Sequence, residues 1–156
     1  MFTYRKCEKK DVDLWIKLNR EFIAYESQDD DLWNGINKVS NQRFAQTFEE
    51  ALSSPELISL LIFEEDGEPV GFANLMTIFS VWSHGKALYL DDLFIREAHR
   101  GKGYGRKALE YVEEFAKELG CKRIQFHSEA TNPNAREFYT AVGYAPAEMY
   151  FYVKYF

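Results

Sequence analysis

The chain has 156 residues, and its mass of 18.3 kDa is that of one ordinary domain. Hydrophobic residues make up 46% and charged residues 28%, which excludes a disordered or fibrous chain, and no apolar run approaches the roughly 20 residues of a membrane span. The net charge of -6 disfavours nucleic acid, whose binding needs clustered Lys and Arg, and favours cationic partners such as amines. We therefore expect one domain over residues 1–156 that binds neither nucleic acid nor membrane.

The hydrophobic pattern predicts ten elements of secondary structure. In chain order they are a strand over residues 2–7, helices over 11–26 and 40–52, strands over 57–63, 70–79 and 87–95, a helix over 105–119, a strand over 122–127, a helix over 132–143 and a final strand over 149–156. Residues 27–39 are polar and acidic, which indicates a loop or a broken helix. This order predicts a mixed α/β or α+β sandwich.

Local signals define several of these boundaries. Leu14, Leu18 and Phe22 are spaced by four and form one face of the first helix. Ser40 is the expected N-cap of the second helix. The Asp66-Gly67 pair indicates a tight hairpin turn between two strands.

The cysteines and the N-terminal residues indicate where the protein is located in the cell and whether it binds a metal. Cys7 and Cys121 form no CxxC pair, and we expect two reduced thiols, as in cytoplasmic proteins. The N-terminal residues include no apolar segment of the kind that a secretory signal requires. No His, Cys and Asp residues have the spacing of metal ligands, so we predict no metal.

A glycine-rich segment, RGKGYGR, covers residues 100–106 between a predicted strand and a predicted helix. Glycines allow a tight turn and a close approach of backbone N–H groups to a ligand. The helix N-terminus adds free N–H donors and a partial positive charge, and three basic side chains add full charges. The spacing matches neither GxxxxGK[ST] nor GxGxxG. The segment therefore predicts a pyrophosphate site of another type.

The segment resembles the acetyl-CoA motif of the GNAT family of N-acetyltransferases, R-x-x-G-x-G between a strand and a helix. A second signature agrees with it, N-x-x-A…Y…G-[FY], which here is Asn132-x-x-Ala135, Phe138-Tyr139 and Val142-Gly143-Tyr144. The resemblance covers nearly the whole chain and is weakest over residues 20–56. It implies a mixed, mostly antiparallel sheet of about six to seven strands with a splayed central pair, flanked by about four helices.

The resemblance also implies acetyl-CoA as cosubstrate and a set of residues that bind it. The strand end would pair with the pantetheine arm, the glycine segment would hold the pyrophosphate, and the side chain of Asn132 would contact the arm or only cap its helix. The expected coenzyme-binding residues are Leu93, Phe94, Ile95, Arg100, Gly101, Lys102, Gly103, Tyr104, Gly105, Arg106, Asn132, Ala135 and Tyr139.

The implied mechanism is direct attack of a neutral amine on the thioester, polarised by a backbone N–H near Phe94. Tyr139 would protonate the departing thiolate. An alkylamine with a pKa near ~10 must first lose a proton, which costs roughly 4 kcal/mol at neutral pH. Asp91 and Asp92 are the candidate bases. Adjacent strand residues face opposite ways, so we expect at most one of them in the cleft and leave open which. Both could instead be structural and cap nearby loop amides.

Residues 82–95, WSHGKALYLDDLFI, resemble the diamine and polyamine (spermidine/spermine) acetyltransferase branch. That likeness implies a small cationic amine as substrate. Carboxylates pair with ammonium groups, and aromatic rings offer cation–π contacts. The expected substrate-binding residues are Tyr25, Glu26, Trp82 and Asp91, with Asp29–Asp31 at the entrance.

Three alternatives remain open from the sequence. The enzyme could acetylate a protein N-terminus or lysine instead of a small amine, or the chain could be a non-catalytic coenzyme A-binding module. The aromatic segment at residues 149–156 could pair two copies in a homodimer or be a core strand of one chain.

Overall fold

A computed structural model describes residues 1–26 and 35–156, except for the side chain of Asn37. Within that part, the chain forms five strands and four α-helices. It divides into two compact units, Met1–Phe126 and His127–Phe156. None of the helices in the described ranges has the length and apolar character needed to cross a bilayer.

The first unit contains all five strands and three of the helices. In chain order these are β1 (Phe2–Lys6), α1 (Val12–Glu26), α2 (Asn41–Leu52), β2 (Ile58–Glu65), β3 (Glu68–Ser80), β4 (Gly85–Ile95), α3 (Tyr104–Glu118) and β5 (Arg123–Gln125). The second unit contains α4 (Pro133–Ala141). The nine elements match nine of the ten predicted ones in type and order.

The strands form one sheet in the order β1-β2-β3-β4-β5. The first three pairings are antiparallel, and β4 pairs with β5 in parallel. Asp66 and Gly67 both have positive φ in the β2–β3 turn, as an Asp-Gly hairpin requires. The pairing of β4 with β5 covers only Ala87–Tyr89, so β4 extends six residues beyond its last β5 partner. The mixed, mostly antiparallel sheet agrees with the predicted architecture, and the splayed pair stays a prediction.

Helices cover both faces of the sheet. On one face, Trp15 of α1 packs with Phe44 and Phe48 of α2 against Leu60 and Ile62 of β2. On the other face, α3 packs against β1, where the Tyr111 hydroxyl of α3 donates to the Phe2 carbonyl at 2.8 Å. Burial of each such large side chain contributes about 1.5–3 kcal/mol, which holds the layers together.

The predicted caps are present. The Ser40 side chain accepts a hydrogen bond from the Arg43 amide at 3.1 Å and begins α2. Asn132 accepts from the Ala135 amide at 3.1 Å and begins α4 with Pro133 at its first position. Each cap pairs an N–H group that the helix itself leaves without a partner.

The predicted strand over residues 149–156 is wrong, and the sheet has five strands in the described residues instead of six to seven. Residues 142–156 of the second unit form no regular element, and Tyr150 and Tyr152 are 88% and 86% exposed. The alternating aromatic residues of this segment indicate a preference for extended backbone. A strand also needs a partner strand for its hydrogen bonds, and the second unit contains none.

Candidate active site

The glycine segment forms an open loop between β4 and α3. Gly101 and Gly103 have φ of +74° and +80°, and a Cβ at either position would meet nothing within 4 Å. Glycine is therefore needed here for backbone conformation, and the loop surface is accessible. Gly103 is the N-cap of α3, and none of the described side chains caps that end. Gly105 lies in the first turn of α3, where amide groups remain for an anionic ligand.

The basic and aromatic side chains of the loop differ in their surroundings. Lys102 and Arg106 are exposed beside the N-terminus of α3. The Tyr104 ring is buried and stacks on Phe2 with centroids 4.8 Å apart. Tyr104 can therefore offer a ligand its backbone amide, whereas its side chain belongs to the core.

Arg100 connects the loop to the end of β4 and to α1. Its Nε donates to the Ile95 carbonyl at 2.9 Å. Its guanidinium lies over the ring of Tyr25, 3.9 Å from the centroid, and 5.6 Å from that of Phe94. The flat guanidinium can stack and donate at the same time, which an ammonium cannot. Arg100 thus positions the strand end and loop together.

Among the described strands, only β3 pairs with the last six residues of β4. The Phe94 carbonyl faces Gly71 of β3, and the Arg96 amide donates to the Val70 carbonyl at 2.9 Å. Since backbone groups alternate sides along a strand, Leu93 and Ile95 direct theirs away from β3. The outward amides near this point therefore belong to Leu93 and Ile95, whereas the Phe94 amide points towards β3.

A β-bulge lies at the two adjacent acids of β4. Asn74 pairs with Asp92, but the next β3 residue, Leu75, pairs with Leu90, so Asp91 is the extra residue. The Asp91 side chain is exposed, whereas Asp92 is half-buried and accepts a hydrogen bond from Asn74 Nδ2 at 2.8 Å. The two acids thus have different environments, as expected for neighbours in a strand. The bulge leaves Asp91 without a residue opposite it on β3, whereas Asp92 lies opposite Asn74.

The environments of the two acids raise both pKa values. Burial raises the pKa of Asp92 to about 6, the charge of Asp91 adds to this, and the hydrogen bond from Asn74 opposes it. Burial of the carboxyl group also raises the pKa of Asp91, although its side chain retains contact with solvent. A carboxylate with a pKa near 6 can take up a proton close to neutral pH.

Three polar residues that the sequence interpretation missed support Asp92. Trp15 Nε1 donates to Asn74 Oδ1 at 2.9 Å, Asn74 Nδ2 also donates to Asn19 Oδ1 at 3.1 Å, and Asn19 Nδ2 donates to the Trp15 carbonyl at 2.7 Å. Two of these residues could have been noticed in the sequence. Asn74 is a lone amide within the apolar strand VGFANLMTIF, and Asn19 is a lone amide on an apolar face of α1.

The predicted substrate-binding residues lie in separate places. Tyr25 and Glu26 end α1 and are exposed, and one face of the Tyr25 ring is covered by Arg100. Trp82 is 91% exposed in the turn between β3 and β4. Seven residues of extended strand, the separation of Gly85 from Asp92, span about 23 Å, so the fold does not bring Trp82 to the acids. Asp29–Asp31 lie outside the described residues.

The second unit carries the remaining predicted residues. The Asn132 side-chain oxygen caps α4 through the amide of Ala135. Tyr139 is half-buried on α4, with ring centroids 5.3 Å from Phe138 and 6.3 Å from Tyr144. Among the described residues, no group of three or more His, Cys, Asp or Glu side chains is placed to hold a metal ion.

The sequence is similar to those of known acetyltransferases. Residues 17–144 match the acetyltransferase (GNAT) family. The chain is 30% identical over 138 residues to the D-amino-acid N-acetyltransferase HPA3 of Saccharomyces cerevisiae, a match that covers 88% of this chain and 81% of that protein. It is 27% identical over 150 residues to the thialysine N-epsilon-acetyltransferase of Bos taurus, with coverage of 89% and 81%.

A solved structure shares the fold. The aminoglycoside N-acetyltransferase AAC(6')-Iy in complex with CoA superposes with a TM-score of 0.75 at 17% identity, and the match covers 99% of this chain and 95% of that one.

Proposed function

The chain belongs to the GNAT family and is an acetyl-CoA-dependent N-acetyltransferase, and we propose that its substrate is a small primary amine with a further positive charge, as in a polyamine. The observation that carries the proposal is the pair Asp91 and Asp92 at the bulge of β4. One acid is exposed and can pair with a cationic group, and the other is half-buried with a pKa of about 6. The net charge of -6 attracts such substrates.

The first unit offers acetyl-CoA two kinds of backbone donor. The backbone N–H and carbonyl groups of Leu93 and Ile95 that point away from β3 can pair with the amides of the extended pantetheine arm. The Ile95 carbonyl also accepts the hydrogen bond from Arg100 Nε. The amides from Gly101 to Gly105 suit a pyrophosphate, with Lys102 and Arg106 adding charge. Acetyl-CoA supplies the reactive thioester when bound. From the second unit, we assign Asn132 and Ala135 to the coenzyme arm, as the family resemblance implies.

In this proposal Asp92 is the general base and Asp91 binds the substrate. The ammonium form of an alkylamine must lose a proton before it can react, and Asp92 takes it directly or through one water. The pKa of about 6 leaves Asp92 mostly ionised at neutral pH, yet basic enough to accept a proton. Asp91, with solvent access, pairs with the second cationic group, and Tyr25 and Glu26 lie at the end of α1 as further substrate contacts. Trp82 is not required.

Tyr139 is the proposed general acid. A thiolate that leaves into a dry site requires a proton or a hydrogen bond, and a phenol supplies either. The family resemblance at residues 132–144 supports this role, since Tyr139 occupies the tyrosine position of that motif.

We also propose a homodimer through residues 149–156 and a cytoplasmic location. The exposed aromatic residues of that segment form the kind of surface that marks an interface. The two free cysteines support a reducing compartment. Light scattering should give about twice 18.3 kDa, and a monomeric mass would reject the dimer.

A matched pair of amines tests the substrate class. Thiol release from acetyl-CoA is measured with 1,4-diaminobutane and with butylamine, which lacks the second ammonium group. We expect kcat/KM at least about 10-fold higher for the diamine, because a close charge pair in a partly desolvated site is worth about 1.4 kcal/mol or more. The variant Asp91→Asn should lose this preference by raising KM for the diamine alone. Equal rates for the two amines, or turnover only of peptides, would reject the proposal.

A further inference from the structure

We propose that Trp15, Asn19 and Asn74 form a polar chain that fixes the orientation of Asp92 and leaves its Oδ1 as the oxygen that binds a proton. The three residues lie on α1 and β3, outside the β4 sequence that contains the acids. They act as positioning residues because none of them is assigned a contact with substrate. The use of that proton site in catalysis rests on the proposed function, in which Asp92 is the base.

The direction of every hydrogen bond in the chain follows from two groups of Trp15. The indole Nε1–H can only donate, so the Asn74 atom that faces it at 2.9 Å must be the amide oxygen. The Trp15 carbonyl can only accept, so the Asn19 atom that faces it at 2.7 Å must be the amide nitrogen. Asn19 therefore presents its oxygen to Asn74. Reversal of the Asn19 amide would lose two bonds, and reversal of the Asn74 amide would lose three.

Asn74 consequently presents Asp92 with an obligatory donor. Its Nδ2 carries two hydrogens, of which one goes to Asn19 Oδ1 at 3.1 Å and the other to Asp92 Oδ2 at 2.8 Å. The carbonyl oxygen of a protonated carboxyl group is a better acceptor than its hydroxyl oxygen. The bond from Asn74 to Oδ2 therefore favours Oδ2 as the carbonyl oxygen and Oδ1 as the oxygen that carries the proton when Asp92 is protonated.

The same bond stabilises the ionised form of Asp92. Burial and the charge of Asp91 raise the pKa of Asp92, and the Asn74 bond acts against both. In the described part of the first unit, Asp91 and Tyr89, both on β4, interact electrostatically with Asp92, and the Tyr89 pKa is raised by burial and by the two carboxylates. The groups that α1 and β3 present to Asp92 through this chain are neutral. Asn74 is therefore a neighbour that favours the ionised form of Asp92.

The test compares pH profiles of variants with a direct titration of Asp92. Asn74→Leu has a similar size but no donor, and we expect the midpoint of the acidic limb of kcat/KM to rise by about one pH unit. Trp15→Phe removes the indole donor together with part of the buried ring, and it should move the midpoint in the same direction by less. In the Asn74→Leu background, Trp15→Phe should give no further shift, because Trp15 acts through Asn74. Ile62→Val, in the core beside Trp15, should lower the melting temperature and leave the midpoint unchanged.

Carbon-13 NMR of the Asp92 carboxyl, assigned with Asp92→Asn, gives a readout that needs no turnover. The proposal is supported if the Asp92 midpoint rises in Asn74→Leu and in Trp15→Phe. It is overturned if either folded variant titrates Asp92 at the wild-type midpoint, or if the shifts of the two substitutions add. An Asp92 midpoint that rises while the kcat/KM profile stays fixed supports the polar chain and rejects Asp92 as the base, which separates this inference from the proposed function. If Asn74→Leu does not fold, Trp15→Phe carries the test.

Discussion

Gly71 of β3 lies so close to Phe94 of β4 that a Cβ on Gly71 would be 2.2 Å from the Phe94 carbonyl oxygen. The same Cβ would be 2.8 Å from Cδ1 of Ile95. The absence of a side chain thus lets the two strands pair up to the end of β4. The other edge of this strand end is the one we assign to acetyl-CoA.

Gly71→Ala should therefore weaken both the fold and coenzyme binding. The methyl group meets backbone, which cannot rotate away, so β4 must shift, and we expect a loss of about 1–3 kcal/mol in the free energy of unfolding. Acetyl-CoA should bind more weakly because Leu93 and Ile95 move with the strand. Urea unfolding and calorimetry of coenzyme A binding measure the two effects.

Gly85→Ala is the matched control in the same sheet. A Cβ there would lie 3.3 Å from Cγ of Lys122, whose flexible side chain can move. We expect a change below about 0.5 kcal/mol. Equal losses in the Gly71 and Gly85 variants would contradict the role assigned to the close approach.

Asp92→Asn should stabilise the protein at neutral pH while it reduces turnover. The pKa of Asp92 is raised from 3.8 to about 6 in the folded state, so between these values the folded chain binds more protons than the unfolded chain. The free energy of unfolding then falls as pH rises through this window, by about 3 kcal/mol in total. The amide cannot ionise, and it still accepts the bond from Asn74.

The free energy of unfolding, measured at pH 4 and at pH 7.5, distinguishes the loss of the Asp92 charge from a change in stability that is independent of pH. Asp92→Asn should gain stability mainly at pH 7.5, with kcat lower by about 100-fold or more. Asp91→Asn, at the exposed position, should gain less. If Asp92→Asn is less stable than the wild type at pH 7.5, the ionised Asp92 carboxylate does not destabilise the folded protein, and the prediction is wrong.

Tyr139→Phe should reduce kcat by about 100-fold and leave the KM for acetyl-CoA near the wild-type value, because the phenol acts on the leaving thiolate and the ring remains. Steady-state thiol release measures both constants. Tyr144→Phe removes a hydroxyl from the neighbouring ring and should leave kcat unchanged. Unchanged turnover in Tyr139→Phe would remove the general-acid assignment.

Arg100→Lys should weaken coenzyme A binding by about 3- to 10-fold although the charge is kept. Lysine has no Nε–H at the position that donates to the Ile95 carbonyl, and its ammonium cannot stack flat on Tyr25. Calorimetric titration with coenzyme A measures the affinity. Arg43→Lys, on the exposed side of α2, controls for the exchange of residue type. Equal affinity in both variants would show that charge alone matters at position 100.

Much of the fold follows from local sequence signals. The Ser40 and Asn132 caps, the Asp66-Gly67 turn and the spacing of Leu14, Leu18 and Phe22 act over three to eight residues, and the structure contains each of them. The aromatic alternation at residues 149–156 was misleading, because a strand depends on a partner that its own sequence does not contain.

The sequence by itself determined the family, the glycine loop and the two candidate acids, since each is a contiguous motif whose spacing is visible in one dimension. Only the tertiary structure decided how the acids differ. The bulge that exposes Asp91 is a property of the pairing between β3 and β4. The chain from Trp15 through Asn74 to Asp92 joins residues 59 and 18 positions apart. Such contacts form only when α1 packs on the sheet, and burial there gives Asp92 its raised pKa.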